Sequence, residues 1–348
     1  MKTIGHCLPT TIGSMPHTSA REACDLLLRF TPEIPAWPQL PERTPLENMY
    51  AQYTELLPGA EVVAGKVQVD LGEAFQRDLE RLYFDYVEGN VDRYLPSPER
   101  AAGLHATLDL LKTSGRQPLA AKGQITGPIS LGLQVTDGNL KPLLYDDIAF
   151  DAVSKYLRLV ARAMEKALGQ VGRMSVIFLD EPYLHALGSA LFSISKDQVV
   201  GGLEEVFGGV SCLKGIHCCG NTDWPVVLST SLDILSFDAY RYAETLALYP
   251  GDLKRFLQRG GILAWGIVPA DALLLQNENV PSLTAKLLDA MQLLAGKGVS
   301  REMLLNQCLI TPSCGLGSLP IPAAERALGL LAGVSREMRA RFFNGGEQ

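Results

Sequence analysis

The chain has no stretch approaching the roughly 18 consecutive apolar residues of a membrane-spanning helix. It also has no stripe of Lys and Arg interleaved with aromatics. The first absence speaks against a membrane span and the second against nucleic acid, and a net charge of −7 points the same way. No Gly-x-Gly-x-x-Gly follows the first apolar segment and no Gly-Lys-Ser/Thr loop occurs, which removes the usual dinucleotide and phosphate sites. The start, Met1-Lys2-Thr3-Ile4-Gly5-His6, lacks the charged and apolar regions of a secretory signal, so the chain reads as cytoplasmic. Cys-x-x-Cys pairs are missing, and with them the common closed structural zinc site.

Seven cysteines, an odd number without framework spacing, read as reduced thiols serving as core residues or ligands. The 348 residues, 47% hydrophobic and 20% charged, suit one well-buried enzyme domain. Short apolar segments alternate with longer amphipathic ones, the pattern of a parallel sheet wrapped by helices. Eight strands are expected, at Thr10–Ser14, Ile34–Trp37, Leu119–Ile125, Val176–Asp180, Gly215–Cys219, Ile234–Phe237, Ile262–Ile267 and Gln307–Thr311. Eight such segments predict an α/β fold, a closed (β/α)8 TIM barrel spanning residues 1–348 as a single domain.

Helices are expected from a capping box at Ser19-Ala20-Arg21-Glu22 through Arg29, and over Leu71–Val87, Pro98–Thr113, Ile148–Val171, Lys196–Phe207, Ala243–Arg259, Ser282–Lys297 and Ala323–Phe343. Two stretches read as long ordered connections. They are the proline-rich Pro32–Pro45 and Thr136–Asp147.

The chemistry concentrates in His217-Cys218-Cys219 and a lone Cys314. Alternation along a strand puts His217 and Cys219 on one face and Cys218 on the other. Cys314 follows the last expected strand, so all three fall at strand C-termini, where barrel enzymes keep their sites. The competing view is that the two cysteines are ordinary buried core thiols and His217 a structural hydrogen bonder. A His/Cys/Cys set with an open position suits zinc that activates an incoming thiol. Asp238, ending the next strand, is placed either as a fourth, displaceable oxygen ligand or as a helix cap. Gly13 lets backbone approach a ligand closely, the Ser14 hydroxyl suits a carboxylate, and Asp180 suits an ammonium.

These residues resemble the catalytic half of cobalamin-independent methionine synthase, in the wider group that includes uroporphyrinogen decarboxylase and the methylcobamide:coenzyme M methyltransferases. Ile12-Gly13-Ser14-Met15-Pro16 is similar to the family's Ile-Gly-Ser-Phe-Pro, whose backbone and serine hold the homocysteine carboxylate. Leu179-Asp180-Glu181-Pro182 resembles its Asp-Glu-Pro segment, whose aspartate binds the amino group and makes Asp180 the expected catalytic residue. His217-Cys218-Cys219 matches its zinc pair, Ser313-Cys314-Gly315-Leu316 resembles its Asp-Cys-Gly-Leu, and its glutamate ligand falls at Asp238.

The resemblance implies a zinc-dependent methyltransferase that makes methionine from homocysteine. The folate-using members are about twice this length. They also place a proton-donating histidine where this chain reads Trp265-Gly266-Ile267-Val268-Pro269. Without that acid the expected donor is a methylcorrinoid, methylcobalamin or a corrinoid protein, whose leaving group needs no proton. The base-off cobalamin motif Asp-x-His-x-x-Gly is absent, so the corrinoid is expected as a visiting partner. Coenzyme M is an alternative acceptor, and a metal-free porphyrinogen decarboxylase is a more distant alternative.

Overall fold

The computed structural model describes residues 4–63, 65–187 and 193–343. Its strands are β1 (Leu8–Pro9), β2 (Ala60–Val63), β3 (Lys66–Val69), β4 (Ala121–Thr126), β5 (Thr136–Asp137), β6 (Ser175–Asp180), β7 (Leu213–Cys218), β8 (Ile234–Phe237), β9 (Ile262–Val268) and β10 (Cys308–Pro312). Seven of them form one parallel sheet in the order β1-β10-β9-β8-β7-β6-β4. β4, β6, β8, β9 and β10 are buried along their whole length, as parallel strands covered on both faces must be.

The expected closure into eight strands is only partly met. Residues 34–37 lie where the second strand should, but they join their neighbours by isolated bridges, Ala36 to Lys122 and Ser14 to Gln39. Pro35 and Pro38 carry no N–H, so a continuous ladder cannot form there. The remaining hydrogen bonds are those the prolines permit. Lys122 N–H donates to Pro35 O (3.0 Å), Trp37 N–H to Lys122 O (3.3 Å), and Gln39 N–H to Gly13 O (3.1 Å). The first strand also sits earlier than expected, at Leu8–Pro9, with Thr10 N–H still reaching Ile310 O.

Helices wrap this sheet close to the expected places. Ser19 caps Ala20–Phe30 by accepting the Glu22 N–H, and Lys196–Phe207 has a full capping box at Ser195 and Gln198. The single helix expected over Ala243–Arg259 is two, Ala239–Leu246 and Pro250–Gln258, because Pro250 cannot continue a helix but can start one. A small second sheet, β2-β3-β5, has no counterpart among the expected strands, and β5 opens the supposed plain connection at Thr136–Asp147. Its strands are only two to four residues long and half exposed, too short for period-two alternation to register. No helix of the described residues is long and apolar enough to cross a membrane.

Apolar residues from the beginnings of the parallel strands, among them Leu8, Val176, Phe178, Leu213, Ile234, Ile262 and Leu309, form a cluster with Ile34 and Ala120. Polar groups are thereby left to the C-terminal ends. The 34–39 segment is held from outside by the helix Ala102–Ser114, whose Gly103 packs flush on it: a β-carbon there would stand 1.8 Å from Pro38 O. Gly103→Ala should therefore cost about 1–3 kcal/mol through overpacking. The check is the urea midpoint, and an unchanged midpoint would mean the segment yields freely.

Candidate metal and substrate site

In a flat parallel sheet, strands three places apart lie roughly 14 Å from one another. β7 and β10 are three places apart, with β8 and β9 between them. Curling nevertheless brings one ligand atom each of His217, Cys219 and Cys314 within 4.8 Å of one another. Two local features help. The ladder slips by one residue between Thr311 and Pro312, a bulge that re-aims the chain beyond it. Gly266 on β9 leaves room for that turn, because a β-carbon there would meet Phe237 O at 2.5 Å and Ser313 Cα at 2.8 Å. Ser313 N–H then donates to Val268 O, and its hydroxyl accepts the Ala270 N–H, fixing the backbone on which Cys314 stands.

His217 is buried and its Nδ1 lies 3.0 Å from the Ser236 hydroxyl, its register partner on β8. That contact orients the ring and leaves Nε2 buried without a hydrogen-bond partner. The two sulfurs influence each other strongly. Cys219 is pushed down to about 4, first by the hydrogen bond from the Cys314 thiol and then by His217. Cys314, donating to Cys219 and buried, is pushed up well beyond an ordinary thiol. Cys218 points away, buried, with its thiol raised to about 12 by burial. A buried imidazole nitrogen facing two sulfurs is a donor set that fits zinc.

Asp238 stands outside this group. One oxygen accepts the Arg241 N–H (2.9 Å) and caps the helix Ala239–Leu246, and the other meets the Arg241 guanidinium at 3.3 Å. Asp180 ends β6 beside His217 in the ladder. It is 8% exposed and its Oδ1 has no partner. Burial pushes its carboxyl up to about 6, against the opposing pull of Lys122 and His217.

Ile12, Gly13 and Ser14 form a strap over the rim. The Ile12 carbonyl accepts from the Lys122 ammonium (2.8 Å), that of Gly13 from Gln39 N–H, and that of Ser14 from Leu316 N–H (2.9 Å). All three carbonyls are thus engaged, while among the described residues the Gly13 and Ser14 N–H groups find no partner. Gly13 has φ +148°, and a β-carbon there would collide with Gln124 at 2.3 Å. Ser14 Oγ accepts the Gly317 N–H at 3.3 Å, and Gly315 is bare enough to let it approach. The strap therefore rests on the loop that carries Cys314.

Other residues of the site escape a sequence reading. From the sequence, Lys122, Gln124 and His185 read only as pocket-lining residues without an assigned role, and Tyr53 carries no signal. Tyr53 OH donates to Gln124 O (2.6 Å) and accepts from Gln39. Glu181 is fully buried and takes the Ile129 and Ser130 N–H groups and the Ser130 hydroxyl, so it anchors the start of the helix Pro128–Gln134. Burial pushes it up to about 7 against those three donors. His185 is exposed, with Nδ1 2.5 Å from Pro182 O.

No protein-family model matches the chain, and no curated protein does. Solved structures do match in fold. A B12-independent methionine synthase from Shewanella sp. W3-18-1, in complex with selenomethionine, superposes with TM-score 0.63 at 16% identity over 96% of this chain and 98% of that one. A protein of Listeria monocytogenes assigned to the vitamin-B12-independent methionine synthases gives 0.57 at 14% identity, over 93% and 86%. A methyltransferase from Methanosarcina mazei gives 0.55 at 13% identity, over 95% and 94%. At these identities the likeness is one of fold.

The depressed Cys219 thiol has a kinetic signature in metal-free protein. A lowered pKa leaves the thiolate present at all pH above its value, so alkylation of Cys219 by iodoacetamide should stay flat from about pH 8 down to about pH 5 and fall only below. Peptide mapping by mass spectrometry reads it. A rate that climbs through pH 8–9, as for a free thiol, would contradict the lowered Cys219 pKa.

Proposed function

We propose that the chain is a zinc-dependent thiol methyltransferase that moves a methyl group from a methylcorrinoid to homocysteine, giving methionine. The observation that carries this reading is the convergence of His217, Cys219 and Cys314 within 4.8 Å, with the imidazole Nε2 buried and unpartnered. In the same reading the curled sheet is a (β/α)8 barrel whose second strand has been reduced to bridges by its prolines. The Shewanella neighbour, in complex with selenomethionine, supports an amino acid of the methionine type as ligand.

His217, Cys219 and Cys314 would hold the zinc, which when bound would strip the proton from an incoming thiol and keep it as thiolate. Ser236 orients the imidazole. Asp238 enters the set only by leaving Arg241, which limits it to a weak fourth oxygen that the acceptor displaces. The unpartnered N–H groups of Gly13 and Ser14, with the Ser14 hydroxyl, form a backbone nest for the acceptor's carboxylate. The free Oδ1 of Asp180 takes its ammonium. In the transfer the acceptor sulfur supplies the electron pair of the new S–C bond, and the corrinoid departs with the pair of the old Co–C bond. No proton is needed by that leaving group. β9 offers none, since Trp265, Ile267 and Val268 are buried and not titratable and Pro269 comes next.

A sulfonate thiol such as coenzyme M would need an uncommitted cation at the rim. Lys122 is a cation beside the site, but it is balanced by Asp180. The names of two structural neighbours deny cobalamin, and at 14–16% identity their donor is not carried over. Here the donor is argued from the missing proton source at β9.

Purified protein should hold about one zinc per chain. Cys219→Ser and Cys314→Ser should each lose it, together with methyl transfer from methylcobalamin to homocysteine. Ser236→Ala should keep the site but weaken zinc binding about 10- to 100-fold. Full activity in zinc-free protein, or transfer to coenzyme M with none to homocysteine, would sink the reading.

A further inference from the structure

Lys122 is the buried charge that the proposed mechanism does not use. It is 1% exposed, at the second position of β4. Its ammonium donates to Ile12 O (2.8 Å), approaches Gln124 Oε1 at 3.4 Å, and lies 4.5 Å from the centre of the Phe178 ring. Burial pulls its pKa down to about 8, and the Asp180 carboxylate opposes that pull. Withdrawing an ammonium from water is heavily penalised, and packing alone would be served as well by methionine. What methionine could not do is hold the Ile12 carbonyl.

That carbonyl decides which way the strap faces. With the carbonyls of Ile12, Gly13 and Ser14 tied to Lys122, Gln39 and Leu316, the Gly13 and Ser14 N–H groups are left unpartnered at the rim. Gln39 and Leu316 hold their carbonyls through the backbone, so no side-chain change can release them. Lys122 holds Ile12 through its side chain and is therefore a separable support. Its charge also acts on Asp180, in the half of the site that meets the ammonium.

We propose that Lys122 is a positioning residue for acceptor recognition, pinning the Ile12 carbonyl so that Gly13 and Ser14 present their donors to the acceptor's carboxylate. The proposal rests on the reading of the site as one for an amino-acid thiol. Its effect should thus be larger with acceptors that carry a carboxylate than with those that meet Asp180 alone.

The experiment compares zinc-loaded wild type with Lys122→Met, using methylcobalamin as donor. The acceptors are homocysteine and 3-aminopropane-1-thiol, which is homocysteine without its carboxylate. In the variant the KM for homocysteine should rise about 10-fold or more with kcat within about 3-fold, the mark of lost binding rather than lost chemistry. The KM for 3-aminopropane-1-thiol, which shares only the Asp180 contact, should rise by a clearly smaller factor. Equal rises for both acceptors would show general damage to the barrel and overturn the proposal, as would no rise for homocysteine. A wild type that methylates no homocysteine overturns the underlying reading, and the proposal with it. Should Lys122→Met fail to fold, as read by circular dichroism, the same comparison on Lys122→Gln decides between the same outcomes.

Discussion

The curvature of one parallel sheet is the constraint on which everything else rests. His217 and Cys219 belong to the end of β7 and Cys314 to the end of β10, and only the curl brings their ligand atoms to within 4.8 Å. Curvature in turn is held by features that have nothing polar about them. An apolar cluster fills the N-terminal end, glycines at 103 and 266 allow close contact, and a bulge redirects the chain after Thr311. The proline-broken segment at 34–39 spans the remaining gap with single bridges. A site assembled this way inherits its precision from packing.

The electrostatics are set by burial at the rim. Lys122, Asp180, Glu181, His217 and the two sulfurs all sit where water is scarce, and each is balanced by a neighbour or by backbone donors. Among the groups left without a partner are one oxygen of Asp180, one nitrogen of His217, and two N–H groups of the strap. Buried polar groups rarely stay unsatisfied, which makes these positions the ones to probe by substitution.

Parts of this are legible in the sequence, and others are hidden for definite reasons. The parallel α/β alternation is readable because β4, β6, β8, β9 and β10 are continuous buried runs of four to seven residues. His217, Cys219 and Cys314 are readable as a set because chemistry singles out histidine and thiols and all three close strands. A full strand at 34–37 is an overreading, since apolar content there outweighs the missing donors of Pro35 and Pro38. The hairpin of β2 and β3 is too short to announce itself, and a helical period runs through Pro250 without showing the break. Asp238 illustrates a deeper limit. Its spacing allows either a cap or a ligand, and its pairing with Arg241 is visible only in three dimensions. Lys122 looks like any other lysine until the strap it holds comes into view.

The most direct test of the central claim is zinc K-edge X-ray absorption on the purified enzyme, before and after homocysteine is added. Coordination by one imidazole and two sulfurs, the latter at about 2.3 Å, with a third sulfur gained on adding the acceptor, is the predicted result. A closed set of ligands that does not change with homocysteine, or zinc bound without sulfur, would contradict it.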